Sequence, residues 1–66
     1  MIIEIDCSRP PDIENGIINA NDYFYSSVIE YRCKAGYRIR NGDYLRECGL
    51  DGKWSGREPI CERKFI

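Results

Sequence analysis

From Tyr23 to Cys33 apolar and polar side chains change places almost residue by residue. The odd positions are Tyr23, Tyr25, Ser27, Ile29, Tyr31 and Cys33; the even ones are Phe24, Ser26, Val28, Glu30 and Arg32. A strand sends alternate side chains to opposite faces, so the pattern predicts a strand over 23–33 with its odd set toward the core. Phe24 and Val28 then face outward, roughly 13 Å apart at about 3.3 Å per residue. Further on, Tyr37 and Ile39 alternate with Arg38 and Arg40, Asn41-Gly42 tolerates positive φ, and Tyr44–Cys48 returns. That arrangement predicts a β-hairpin. Pro10-Pro11 holds the chain extended after Cys7, and Asn15-Gly16 marks a turn before Ile17-Ile18. A last short strand is expected around Trp54, with Pro59-Ile60-Cys61 closing the unit. No helical period, internal repeat or low-complexity tract appears, so the predicted class is all-β: a small module of short antiparallel strands.

Sixty-six residues bury only about 60% of the surface the unfolded chain exposes, and a core of that size needs staples. Four cysteines stand at positions 7, 33, 48 and 61, separated by 25, 14 and 12 residues. Zinc sites bring ligands in close pairs, because one tight turn presents two sulfurs to one ion. Here there is no such pair and no histidine, which leaves two disulfides in any of three pairings. Disulfides imply an oxidising compartment and hence an extracellular location. The opening Met1-Ile2-Ile3-Glu4-Ile5-Asp6 meets a carboxylate at once, and no stretch approaches the roughly 20 apolar residues of a membrane span. The expectation is a module cut from a longer secreted or cell-surface chain, with Met1 added for expression. Residues 1–6 and 62–66 are then connecting segments around one unit at 7–61.

The single tryptophan sits in the most turn-rich stretch, "DGKWSGREPIC". Its surroundings resemble a known family. Cys7, Pro10-Pro11, Ile13, Asn15-Gly16, Tyr25, Ile29, Tyr31, Cys33, Gly36-Tyr37, Ile39, Cys48, Gly52, Trp54, Pro59 and Cys61 are together similar to the complement control protein module, also called the sushi domain or short consensus repeat. The resemblance implies pairing of the first cysteine with the third and the second with the fourth, giving Cys7–Cys48 and Cys33–Cys61 at the two ends of an elongated, disulfide-stapled module. In the loop-entropy model each bond contributes about 3.5–4 kcal/mol. Trp54 is then expected in a core with Tyr31, Tyr37, Ile29 and Ile39, packed near one disulfide, its indole N–H on a backbone carbonyl. Two positions depart from the family pattern: Ser26 stands where glycine is common, and the glycine of the following hairpin is displaced to Gly42.

Net charge is −1, which gives no general pull toward nucleic acid or a membrane surface. The distribution is uneven: residues 1–30 sum to −5, residues 31–46 to +4 and residues 47–66 to zero. Without histidine the commonest general base is missing, the serines have no activating neighbour, and the cysteines are committed. No enzyme activity, metal or cofactor is expected. Asn19-Ala20-Asn21-Asp22 carries too little charge in the wrong order for a calcium loop, and no Asn-x-Ser/Thr sequon occurs. Arg32, Arg38 and Arg40, with Lys34 and Arg46 nearby, suggest a cationic flank. It is either a docking surface for an acidic protein or a sulfated glycan, or a solvated face neutralised by Glu30, Asp43 and Glu47, which is the commoner case. Phe24 and Val28 are the apolar candidates for contact with a protein partner or a neighbouring domain; the commoner outcome is that one or both are covered by the Asn19–Asp22 loop or a terminus. The resemblance implies a non-catalytic extracellular recognition module of a multidomain protein, complement-related among other settings. The alternative is a spacer that orients neighbouring domains, including those of a complement-type serine protease chain.

Overall fold

The axis of the molecule is β2 (Val28–Cys33), flanked on both sides by antiparallel neighbours, β1 (Gly16–Asn19) and β4 (Leu45–Glu47). A second, two-stranded antiparallel sheet pairs β3 (Tyr37–Arg40) with β5 (Ile60–Arg63). This is a computed structural model, and it describes residues 4–64; residues 1–3 and 65–66 of the two expected connecting segments lie outside the described residues. The body is elongated, 54 × 18 × 14 Å, and no helix occurs among the described residues.

Register explains which side chains are buried. Ile18 lies opposite Tyr31, and Ile29 opposite Arg46, on the inner face of the three-stranded sheet. Ile29 and Tyr31 are fully enclosed and form the core with Ile13 and Cys61, against which Ile18, Ala20, Tyr23, Tyr37, Ile39 and Trp54 pack. Each fully buried aliphatic or aromatic side chain of this kind stabilises the fold by about 1.5–3 kcal/mol, too little in so short a chain without covalent help. That help comes from Cys7–Cys48 at one end and Cys33–Cys61 at the other, with no free cysteine. Gly16 fits β1 against the second bond: a Cβ there would stand 2.8 Å from Cys61 Sγ.

Three expectations are corrected. The strand predicted over 23–33 begins only at Val28. Tyr23 and Tyr25 pair instead with the N-terminal segment, through Cys7 N–H donating to Tyr23 O and Tyr25 N–H to Ile5 O. The chain then turns, with Ser26 at φ 70° and Ser27 N–H donating to Phe24 O. A left-handed residue breaks the alternation of a strand, and Tyr25 ends 45% exposed rather than on the core face.

The hairpin predicted over Tyr37–Cys48 is absent as well. Asn41 and Gly42 do take positive φ, 49° and 120°, but the turn hands the chain from one sheet to the other. β3 pairs with β5 because Cys61, bonded to Cys33, lies opposite Ile39. Gly42 meanwhile passes so close to Glu58 that a Cβ would stand 2.7 Å from its carbonyl oxygen. The strand expected around Trp54 is reduced to a single bridge with Cys48.

Candidate binding surfaces

Near the Cys7–Cys48 bond a polar clamp organises the turn-rich segment. The half-buried Trp54 donates its indole N–H to Ser8 O at 2.9 Å, the kind of backbone partner expected for this ring. The Tyr23 ring meets the indole edge-on, 6.5 Å between centroids at 86°. Arg46 reaches inward from β4: Nε donates to Ser55 O at 2.8 Å, Nη1 to the Tyr31 hydroxyl oxygen at 3.1 Å, and Nη2 to Trp54 O at 3.5 Å. The sequence reading placed Arg46 beside the cationic flank. The overlooked signal is the two-residue offset from buried Cys48, which follows β4 directly: alternation along an extended chain turns Arg46 to the same side as that half-cystine.

The remaining flank arginines divide between the two sheets. Arg32 lies on the three-stranded sheet, its Nε 3.0 Å from Glu30 Oε1. Arg38 and Arg40 lie on the two-stranded sheet and share one carboxylate: Arg40 Nη1 is 2.8 Å from Glu62 Oε1 and Arg38 Nε 3.6 Å from Glu62 Oε2. All three guanidinium side chains are exposed, and exposed pairs of this kind are worth at most about 1 kcal/mol. An external anion could exchange for Glu62 at little cost. The hydrogen bond and the charge of Asp12 push the Arg9 pKa above its ordinary value.

The apolar candidates also separate. Val28 points to the outer face of the three-stranded sheet and is 51% exposed. It is joined there by two residues the sequence reading did not single out, Ile17 (58%) and Leu45 (46%). Cα partners across the sheet are Ile17 with Arg32, Glu30 with Leu45, and Val28 with Glu47. Val28 and Leu45 are therefore diagonal neighbours, about 7–8 Å apart, beside the Glu30–Arg32 pair. Phe24, 44% exposed, stands elsewhere, in a groove near the N-terminal segment lined by Glu4, Asp6, Asn21, Asp22 and Tyr23. Among the described residues no cluster of acidic or cysteine side chains could hold a metal ion.

The cysteine frame, the tryptophan beside the first disulfide and the two small sheets agree with the family comparison: residues 7–61 match the model of the sushi repeat (SCR repeat). The chain belongs to the sushi repeat family. Relatives of this sushi repeat include "Sushi, von Willebrand factor type A, EGF and pentraxin domain-containing protein 1" of Rattus norvegicus, 44% identical over 57 residues, 86% of this chain and 2% of that protein. Protein lev-9 of Caenorhabditis elegans is 40% identical over 86% of this chain and 9% of its own length. Complement decay-accelerating factor of Pongo pygmaeus is 39% identical over 96% of this chain and 20% of its own length. This sushi repeat thus spans a fifth or less of each of these relatives.

Proposed function

We propose that this sushi repeat is a non-catalytic extracellular recognition module of a larger multidomain chain, and that a protein partner docks on the outer face of its three-stranded sheet. The observation that carries the reading is the exposure of Ile17, Val28 and Leu45 together on one sheet face. Interfaces concentrate apolar side chains at their centre; Val28 and Leu45 supply the apolar pair here, and the Glu30–Arg32 pair on the central strand lies between them and Ile17. Phe24 is assigned to contact with the preceding domain, because it borders the segment by which the chain enters. Arg38 and Arg40 are assigned to an acidic surface or a sulfated glycan that displaces Glu62. The two disulfides support the extracellular part of this reading, since such bonds persist in oxidising compartments.

One relative is named for complement decay, so activated complement fragments are the first ligands to test, with heparin as the sulfated glycan. The double variant Val28→Glu/Leu45→Glu should abolish protein binding while leaving the melting temperature near wild type. Reversing Arg38 and Arg40 to glutamate should remove heparin binding and its salt dependence, since exposed charges are screened over roughly 8–10 Å at physiological ionic strength. Binding that survives both sets of changes refutes the assignment of these faces. The spacer reading draws on one observation, the 54 Å length, with the chain entering beside Cys7–Cys48 and leaving through β5. It gains if the isolated module binds none of these ligands.

A further inference from the structure

We propose that Asn41–Gly42 is a site of spontaneous covalent modification, at which Asn41 converts to aspartate and isoaspartate, and that the fold protects the chain's other Asn-Gly pair, Asn15–Gly16. The chemistry is an intramolecular acyl transfer. The Gly42 amide nitrogen gives up its proton to water or hydroxide and attacks Asn41 Cγ. The new C–N bond closes a five-membered succinimide, the Cγ–Nδ2 bond breaks, and ammonia leaves. Water then opens either carbonyl of the ring, giving aspartate or isoaspartate with no change of oxidation state. A following glycine favours the reaction because it brings no side chain against the attacking nitrogen and leaves the backbone free to rotate.

Both asparagines take left-handed φ, 62° at Asn15 and 49° at Asn41, so backbone class does not separate them; their tethers do. Asn15 is half-buried, its carbonyl accepts from Lys34 N–H at 2.9 Å, and Gly16 N–H donates to Ile13 O at 3.4 Å. Gly16 is also wedged against Cys61 Sγ, Ile13 and the Arg32 carbonyl. Swinging that nitrogen onto Asn15 Cγ requires β1 to leave the Cys33–Cys61 bond. Asn41 is exposed. Among the described residues Gly42 N–H has no protein acceptor, and the first anchored donor after the turn is Asp43 N–H on Arg57 O at 2.9 Å. The crowded side of Gly42 is where a Cβ would stand, against Glu58 and Pro59.

The product alters the module locally. Aspartate adds a negative charge beside Arg40 and Asp43. Isoaspartate adds a methylene to the main chain where Gly42 rests on Glu58–Pro59, immediately before β5 starts at Ile60. The two-stranded sheet carrying Arg38 and Arg40 is the part that changes with age.

The test incubates the oxidised chain at 37 °C in neutral and mildly alkaline buffer, with the reduced, unfolded chain in parallel. Both are followed by peptide mass mapping and by isoaspartyl methyltransferase labelling. In the oxidised chain Asn41 should convert at least about tenfold faster than Asn15, because protected sites react only through local opening. In the reduced chain the two rates should converge. Asn41→Gln should abolish the fast product. Equal rates in the oxidised chain, a faster Asn15, or an Asn41 as strongly slowed by folding as Asn15 overturns the proposal.

Discussion

Replacing Arg46 with methionine should unfold the module at markedly lower denaturant than replacing any other arginine of β2, β3 or β4. Methionine keeps most of the aliphatic stem and removes the fork of donors. Two well-made charge-assisted bonds are lost, 2.8 Å to Ser55 O and 3.1 Å to the Tyr31 hydroxyl, with a long third at 3.5 Å to Trp54 O. Bonds to a charged group contribute about 1.5–3 kcal/mol each. The half-buried setting of Arg46 lowers that sum, and the expected cost is about 2–4 kcal/mol, discounted for solvent screening. With a urea slope near 1 kcal/mol/M for so small a chain, the midpoint should fall by about 2–4 M. The assay is urea unfolding of the oxidised protein followed by Trp54 fluorescence. Arg38→Met serves as control, expected within about 0.5 kcal/mol of wild type as a surface change. Arg46→Lys should recover only part of the loss, since an ammonium cannot reach three acceptors in fork geometry. A cycle with Tyr31→Phe isolates the pair and should give a coupling of about 0.5–1.5 kcal/mol. If Arg46→Met and Arg38→Met melt together, the clamp contributes nothing and Arg46 returns to the solvated flank.

Reduction should unfold the molecule outright, because losing one native disulfide from a small secreted domain costs about 2–5 kcal/mol; a reduced chain that keeps its near-ultraviolet circular dichroism contradicts this. Trp54→Phe should cost about 1–3 kcal/mol through the lost bond to Ser8 O and the smaller ring, measured by chemical denaturation with tyrosine fluorescence. Ser26→Gly should raise stability by about 0.5–1 kcal/mol, relieving a left-handed residue at some entropic cost in the unfolded chain; a lower melting temperature would show that the Ser26 side chain matters more than its backbone.

Local pattern and long-range constraint were legible in the sequence to different degrees. The alternation of Ile29 and Tyr31 with Glu30 and Arg32 located β2 and its inner face, because side-chain period is a property of the strand itself. The cysteine frame, read through a family resemblance, gave both disulfides. Strand partners were harder to see. Asn41-Gly42 has the φ signs of a hairpin turn, yet β3 finds β5, more than twenty residues later, because Cys61 is tied to Cys33. Nothing local announces a partner set by a distant covalent bond. Tyr25 was misplaced for the opposite reason: one left-handed residue, Ser26, interrupts a pattern that continues on paper. The outer apolar face stayed unseen because Ile17, Val28 and Leu45 come from three separate segments and share a face only through register.

The interlocked order of the two disulfides has a mechanical consequence. A pull applied at Cys7 and Cys61 does not travel along the whole intervening chain. It crosses from Cys7 to Cys48 through the first bond, 5.9 Å between Cα atoms, and then has only the thirteen Cα–Cα steps from Cys48 to Cys61 to straighten. Fully extended, that route reaches about 50 Å, against about 190 Å for the same span without disulfides. The folded body already measures 54 Å along its long axis. Under tension the module can therefore lose its fold and still lengthen very little. In a string of such beads it behaves as an inextensible link, and a single backbone cut anywhere between the outer cysteines leaves the link covalently closed.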